Sequence, residues 1–363
     1  MTLTKLPAVM LAGGGGGEPV AGSTYINPET YGMKAVGVDG ADAATNTAAL
    51  QNALSAGPVM LPPKAYELNG ITMTGSFTLK GTDKRSALIF QTGVAVPSQG
   101  TAALYVPIPT ANIGTVIENL TFYPAAANTI SHGMIFSQTA GPGYMSNFRI
   151  DGVLMNLGLP FTTTSIYLEN NMASPDGFFT GVIQNCMCTT GTYAGIAGTN
   201  IGDSIIIRKN VVNNGLGVAI RLSSVAGARQ VVIEDNNLTS RNGQIYLVAL
   251  GQCSIFRNWM EHPAYLGEFV GGAAVKAQVT LENCYMCDVS YCTIVGGSGQ
   301  PGPDGVTPVN GSSYGVYLIG TTQLSLVGPR NWIAAVGISK IQDVSTSGTN
   351  SAMSTGVQAN ILA

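Results

Sequence analysis

Short apolar stretches broken by polar turns run along the chain, and one unit recurs. An apolar residue is followed two or three positions later by Asn, then by a polar turn and a second apolar strand. The unit reads Ile117-Glu118-Asn119, Ile183-Gln184-Asn185, Ile207-Arg208-Lys209-Asn210, Ile233-Glu234-Asp235-Asn236, Ile255-Phe256-Arg257-Asn258 and Leu281-Glu282-Asn283. From Asn185 the steps are 25, 26, 22 and 25 residues, and Asn331 lies about two periods further on. Within each unit the strands alternate, which places Ile205, Ile207, Val231 and Ile233 inward and leaves Ile206 and Val232 on the outer face. A period of this length with two or more short strands per repeat suits one coil of a spiral per repeat. The predicted fold is all-β, a single-stranded right-handed parallel β-helix. Asn suits its corners because it tolerates the left-handed backbone of a tight turn, and stacked amides can bond up and down a ladder.

Composition agrees with many short strands. Of 363 residues 45% are apolar, only 10% are charged and 47 are Gly, which disfavours a helical bundle. The net charge is −3 and the 16 Lys and Arg are scattered singly, so no basic stripe awaits nucleic acid. Polar residues interrupt every apolar run short of the roughly 20 residues that span a bilayer, so membrane insertion is not expected. Cys284-x-x-Cys287 has metal-ligand spacing, but Cys186-x-Cys188 is no matching second pair. The six cysteines read as buried free thiols, and the sequence calls for no metal and no cofactor.

Before the repeats, residues 1–24 hold a short apolar patch and five consecutive glycines, Gly13 to Gly17. Pro7 disfavours a cleaved secretory signal, and a flexible docking peptide is the expectation. Residues 25–80 form an opening segment with one helix: Asn46 caps it, it runs from about Thr47 to Ala56, and Gly57 ends it. Its stripe of Leu50, Ala53 and Leu54 is placed to plug the open end of the strand stack. Residues 81–341 form the β-helix proper, and 342–363, rich in Ser, Thr and Gly, an extended tail.

The opening segment also carries a resemblance. Tyr31-Gly32-Met33-Lys34-Ala35-Val36-Gly37-Val38-Asp39-Gly40, then Asn46-Thr47-Ala48-Ala49-Leu50-Gln51-Asn52-Ala53-Leu54, then Val59-Met60-Leu61-Pro62-Pro63-Lys64-Ala65-Tyr66 resembles the opening motif of the pectate-lyase-like superfamily. There a Gly-Ala-x-Gly-Asp-Gly turn, an Asp-Asp-Thr helix start and a Leu-Pro-Pro-Gly-x-Tyr strand begin a parallel β-helix. Asn46 stands where an Asp is usual, and Lys64-Ala65 replace Gly-x. The superfamily includes phage tailspikes, and its enzymes act on polysaccharides. The matched tenth of the chain carries no catalytic residue, so the resemblance implies fold and setting only.

Residues in register one coil apart lie about 4.8 Å from each other, so column neighbours can form a site. With the Asn repeat as ruler, four and five positions on lie Asn214 and Gly215, Ser240 and Arg241, His262 and Pro263, Cys287 and Asp288. This places Arg241, His262 and Asp288 along one edge with Glu261 beside them, a candidate base with a carboxylate-binding Arg. Ten or eleven positions on, Arg221, Tyr246 and Glu268 follow on successive coils, with Tyr193 and Tyr317 nearby. The inward neighbours are Ile220, Ile245, Leu247 and Phe269. Such a stripe suits a glycan, with sugar faces on the Tyr rings and hydroxyls on Arg and Glu, and it equally suits a subunit contact. Asp176 and Asp203, before strands on adjacent coils, are a candidate hydrolytic pair, though Asp in that position is an ordinary turn former.

The expectation is a phage virion protein, a tailspike or tail fibre, assembled as a homotrimer through apolar outer residues such as Ile206 and Val232. It meets a bacterial surface polysaccharide, possible depolymerase action being left open, and docks to phage tail proteins through Leu6, Pro7, Met10 and Leu11. The competing readings are a purely structural fibre and a secreted bacterial polysaccharide lyase or hydrolase.

Overall fold

The structure is a computed structural model that describes residues 24–108, 113–138, 143–155, 159–171, 177–189, 191–213, 215–225, 229–261, 268–270, 273–296, 314–328, 330–334, 336, 339–346, 348–352 and 361–362. Three long sheets dominate, and every neighbouring pair along each of them is parallel. Sheet 1 runs from Val59–Leu61 to Ser351–Ala352, sheet 2 from Ala65–Leu68 to Ile361–Leu362, and sheet 3 from Ile71–Thr72 to Ser339–Asp343. The chain visits them in that order and repeats, so each circuit is one rung of a right-handed parallel β-helix.

One apolar core threads the stack from Met33 to Ile333. On sheet 1 its inward file is Ile150, Ile183, Ile207, Ile233, Ile255 and Val289, one per rung and each fully buried. At roughly 1.5–3 kcal/mol per buried aliphatic side chain, this repetition dominates the stability of the coil. On sheet 3, Ile220, Ile245 and Leu247 point inward as the alternation predicts. Phe269 lies among residues whose side chains are not described.

The corner between sheets 1 and 2 is two residues long. Its first residue is left-handed on successive rungs: Asn119, Gly152, Asn185, Lys209, Asp235, Arg257 and Tyr291, with φ between 53° and 66°. The second points inward, and there the ladder forms. Asn210 donates from its backbone N and Nδ2 to Asn236 Oδ1 at 2.9 and 3.0 Å, and Asn236 does the same to Asn258 Oδ1 at 3.0 and 2.9 Å. Each slot also donates upward to a sheet 1 carbonyl. Asn210 bonds Ile183 O, Asn236 Ile207 O, Asn258 Ile233 O and Asn331 Val289 O, at 2.7–3.0 Å.

Two members of the predicted repeat fall elsewhere. Asn185 takes the left-handed position, and the inward slot belongs to Cys186, whose thiol reaches Ile150 O at 3.7 Å. Asn283 sits at the corner between sheets 3 and 1, while Cys292 fills the ladder slot, its thiol on Ile255 O at 3.6 Å. A thiol donates to the same carbonyl that an amide would, so the sequence signature breaks while the geometry continues. All six cysteines are buried and free.

The capping helix, α1, is Ala43–Ala56, one turn longer at its start than predicted. Asp42 is the N-cap, its carboxylate accepting from Ala44 N at 2.9 Å and Thr45 N at 3.0 Å. Asn46 lies inside the helix, buried, and ties it to its surroundings through Lys34 N, Lys34 O and Glu67 O at 2.7–3.0 Å. Gly57 ends the helix, and Leu50, Ala53 and Leu54 enter the core as expected. The stack exceeds the expected 81–341: rungs begin at Val59, and the expected tail places Ser351–Ala352 and Ile361–Leu362 in sheets 1 and 2.

Candidate functional site

Sheet 3 carries an aromatic and charged stripe on its outer face. The register aligns Tyr105, Ile135, Tyr167, Ala197, Arg221, Tyr246, Thr280 and Tyr317 on eight successive rungs. The next outward column holds Ser137 and Glu169 on adjacent rungs, and Val248, Glu282 and Ile319 further down. Inward residues between these columns are core, which fixes the outward side chains on a rigid base.

At the centre the Arg221 guanidinium lies between two rings, 4.7 Å from the centroid of Tyr193 and 4.8 Å from that of Tyr246. Tyr246 donates its hydroxyl to Glu282. Towards the N-terminus Tyr167 lies 6.1 Å from Tyr193 and stacks on His132 at 5.8 Å. Towards the C-terminus Tyr314 and Tyr317 lie 4.7 Å apart. Tyr193, Arg221, Tyr314 and Tyr317 are half-buried and present surface to solvent, whereas Tyr167 and Tyr246 are buried beneath their neighbours.

The N-terminal end of the stripe is roofed. Val94–Val96 pairs antiparallel with Gly100–Pro107 and covers an outer cluster of Ala102, Ile135, Tyr167, Ala194 and Ala197. Gln99, in the turn of this hairpin, donates to Glu169 Oε1 at 2.5 Å, and Ser137 donates to Oε2 at 2.6 Å. His132 Nε2 lies 3.0 Å from Gln99 O. Burial pulls the His132 pKa down to about 4, so the ring is neutral at physiological pH. Burial pushes the Tyr167 hydroxyl up to about 12.

Of the residues predicted for this stripe, Tyr193, Arg221, Tyr246 and Tyr317 come together. Glu268 does not join them: it opens a short antiparallel hairpin, Glu268–Val270 with Ala273–Val275, and Thr280 occupies its place in the register. Sequence reasoning missed Tyr105, His132, Tyr167, Glu169, Glu282 and Tyr314. The alternation in Thr164–Asn170 would have revealed Tyr167 and Glu169, but its rung precedes Asn185, where the ruler started.

The other candidates separate. Arg241 and Glu261 occupy the sheet 2 to sheet 3 corner on adjacent rungs, where Gln244 Nε2 donates to Ser240 O at 2.8 Å and to Glu261 O at 3.0 Å. Asp288 starts a sheet 1 strand, away from that corner, because the ruler slipped at Asn283. Asp203 accepts from Arg229 N on the next rung at 2.6 Å, as a turn former does. Asp176, His262, Leu6, Pro7, Met10 and Leu11 lie outside the described residues, as does the side chain of Glu268.

Cleavage of a glycan by paired carboxylates needs them about 5–9.5 Å apart. On sheet 3, Glu169 and Glu282 are four rungs apart, roughly 19 Å along the stack. On sheet 1, Glu118 and Asp151 are in register on adjacent rungs, but Arg149 bridges them at 3.0 and 2.6 Å and Lys80 holds Glu118 at 2.8 Å. Burial works to raise the Asp151 pKa, yet hydrogen bonds from Arg149, Asn185 and Gln184 hold it below the usual carboxylate range. An ion-paired carboxylate of this kind makes a poor general acid, and the charges continue down the sheet as a ladder through Arg208, Glu234 and Arg257.

Asp288 behaves in the opposite sense. Burial pushes its carboxyl up to about 6, and Oδ1 has no hydrogen-bond partner among the described residues. A raised folded-state pKa means a contribution complete below about pH 4 and lost as the pH rises through about 6. Asp288→Asn is therefore expected to stabilise the protein at neutral pH by on the order of 1 kcal/mol, after allowing for the solvent that reaches this group, and by nothing near pH 4. Thermal melts of both proteins at the two pH values check this.

The sequence matches no protein-family model and no curated protein. Among solved structures the chain is similar to pre-mature gene product 12 of bacteriophage phi29, with a TM-score of 0.57 and 14% identity over 88% of this chain and 51% of that one. It is similar also to the enzymatically active domain of tailspike protein 2 of bacteriophage CBA120, with a TM-score of 0.51 and 14% identity over 89% and 42%. A mannuronan C-5 epimerase A-module from Azotobacter vinelandii gives 0.48 and 15% over 90% and 99%. The chain thus spans about half the length of the two phage proteins. At these identities the likeness is one of fold alone: a right-handed parallel β-helix.

Proposed function

We propose that this chain is the β-helix of a phage tailspike-like or tail-fibre-like virion protein that binds a bacterial surface polysaccharide along the outer face of sheet 3. The observation that carries the reading is the Arg221 guanidinium held between Tyr193 and Tyr246, with Tyr317 and Tyr314 further along the same face. Aromatic rings take the apolar faces of sugars, and a guanidinium takes hydroxyls or a sugar carboxylate. The two phage proteins of the same fold favour a virion setting. Binding is favoured over cleavage because the described acids of this face are too far apart to act as a pair.

Assembly belongs to the same reading. Val182, Ile206 and Val232 form an apolar outward run on three successive rungs of sheet 1, beside the ion-pair ladder, and this run fits contact between copies in a homotrimer. Docking to phage tail proteins through Leu6, Pro7, Met10 and Leu11 completes it. The test is retention of purified capsule and lipopolysaccharide from a bacterial panel on the immobilised protein, with release of reducing ends or unsaturated products followed in parallel. Saturable retention without product supports a binding protein. Product release would make it a depolymerase, and retention of no member would overturn the reading.

A further inference from the structure

The stripe on sheet 3 accounts for many of the chain's tyrosines but for neither of its two tryptophans. Both lie on sheet 2, in one outward column, where the register runs Asn237, Trp259, Thr293, Trp332 on four successive rungs. Their inward neighbours Met260, Ile294 and Ile333 are fully buried core. Trp259 is 44% exposed and Trp332 39%. An indole is among the side chains that gain most from burial, so two left open on one rigid strip suit a ligand. Two rungs separate them, roughly 10 Å along the stack.

The surroundings point to the chemistry of that ligand. The indoles alternate with the exposed amide of Asn237 and the half-buried hydroxyl of Thr293. At the adjoining corner Tyr291, 41% exposed, packs 5.0 Å from Phe256, and the Arg330 guanidinium lies 5.8 Å from the Tyr291 ring. Arg257 is paired with Asp235 at 2.6 Å, whereas Arg330 has no ion pair among the described residues. A stable contact between proteins buries about 800 Å² per side around a well-packed apolar centre, and the polar residues between the indoles interrupt such a centre. A sugar chain presents the matching alternation of apolar ring faces and hydroxyls.

We propose that Trp259, Thr293 and Trp332 form a second glycan-binding surface, separate from the sheet 3 stripe, on which an extended polysaccharide lies along the stack axis. Its sugar faces stack on the two indoles, Thr293 and Asn237 bond the hydroxyls between them, and Arg330 favours an acidic sugar. The proposal shares with the reading of sheet 3 only the class of ligand.

The two tryptophans are themselves the probe, because intrinsic tryptophan emission reports on this column alone. The full chain is titrated with mannuronan oligomers, cello-oligosaccharides and O-polysaccharides from a bacterial panel. At least one is expected to change the emission saturably, with Trp259→Ala and Trp332→Ala each weakening its binding fivefold or more at unchanged melting temperature. Arg221→Ala should leave the emission change intact, so failure of the sheet 3 reading and failure of this one are told apart. No emission change with any glycan, or unaltered binding by both tryptophan variants, would overturn the proposal. A fall in solution mass in those variants without an effect on glycan would assign the column to contact between copies and overturn it equally.

Discussion

Asn236→Ala, at a buried position in the corner between sheets 1 and 2, is expected to destabilise the protein by about 3–5 kcal/mol. The side chain takes part in four bonds: it accepts from Asn210 N and Nδ2, and donates to Ile207 O and Asn258 Oδ1. Truncation takes a partner from the buried donors of Asn210 and from the buried Ile207 carbonyl, all on the preceding rung, and each group left unpaired costs about 1–3 kcal/mol. Asn185→Ala removes an exposed side chain from the same corner and should cost about 1–2 kcal/mol, mostly because Ala tolerates the left-handed backbone less well than Asn. Asn236→Cys should fall between the two, because Cys186 and Cys292 already occupy this slot. Thermal or denaturant unfolding of the three variants gives the order. Equal losses at Asn185 and Asn236 would contradict the ladder.

Arg221→Ala is expected to weaken polysaccharide binding tenfold or more while leaving the fold intact. A tenfold loss corresponds to about 1.4 kcal/mol, within reach of one guanidinium that contacts a sugar and holds two rings in place. The variant removes the side chain between Tyr193 and Tyr246, whereas the inward residues of the same strand, Ile220 and Leu222, stay in the core. The change in stability should therefore remain at about 1 kcal/mol or less. Arg221→Lys should restore little, since an ammonium cannot lie flat against both rings as a guanidinium does. Binding isotherms with a polysaccharide retained by the wild-type chain, together with melting curves, separate loss of the site from loss of the fold.

The sequence carried the architecture because the coil repeats its physics. Ile183, Ile207, Ile233 and Ile255 recur with an Asn-rich corner after each, and where rungs are of even length the step between ladder residues is 24, 26 and 22 positions. The pattern failed where the same geometry admits different residues. Cys292 replaces Asn after Asn258, at a separation of 34 residues, so the ruler jumped to Asn283 on another corner and misplaced Asp288. Earlier rungs have Leu120 and Val153 in the inward slot, which is why Glu169 and Tyr167 escaped notice. The helix cap went astray for a related reason: Asp42 and Asn46 are both cap residues by type. Only the fold reveals that Asn46 is turned inward to bond Lys34 and Glu67.

The stripe itself was legible in part. Tyr193, Arg221, Tyr246 and Tyr317 share a face because outward residues of parallel strands align at intervals of one coil. The roof over its N-terminal end was not legible, since Val94–Val96 returns antiparallel and Gln99 meets Glu169 70 residues away. Nor was the placement of both tryptophans on sheet 2, which depends on the lengths of two irregular connections.

A structure of the protein with a bound oligosaccharide tests the central claim most directly. The account predicts sugar rings on the outer face of sheet 3, against Tyr193 and Tyr317 and within hydrogen-bond reach of Arg221. A sugar bound only elsewhere, or a second copy of the chain covering Tyr193, Arg221 and Tyr317, would contradict it.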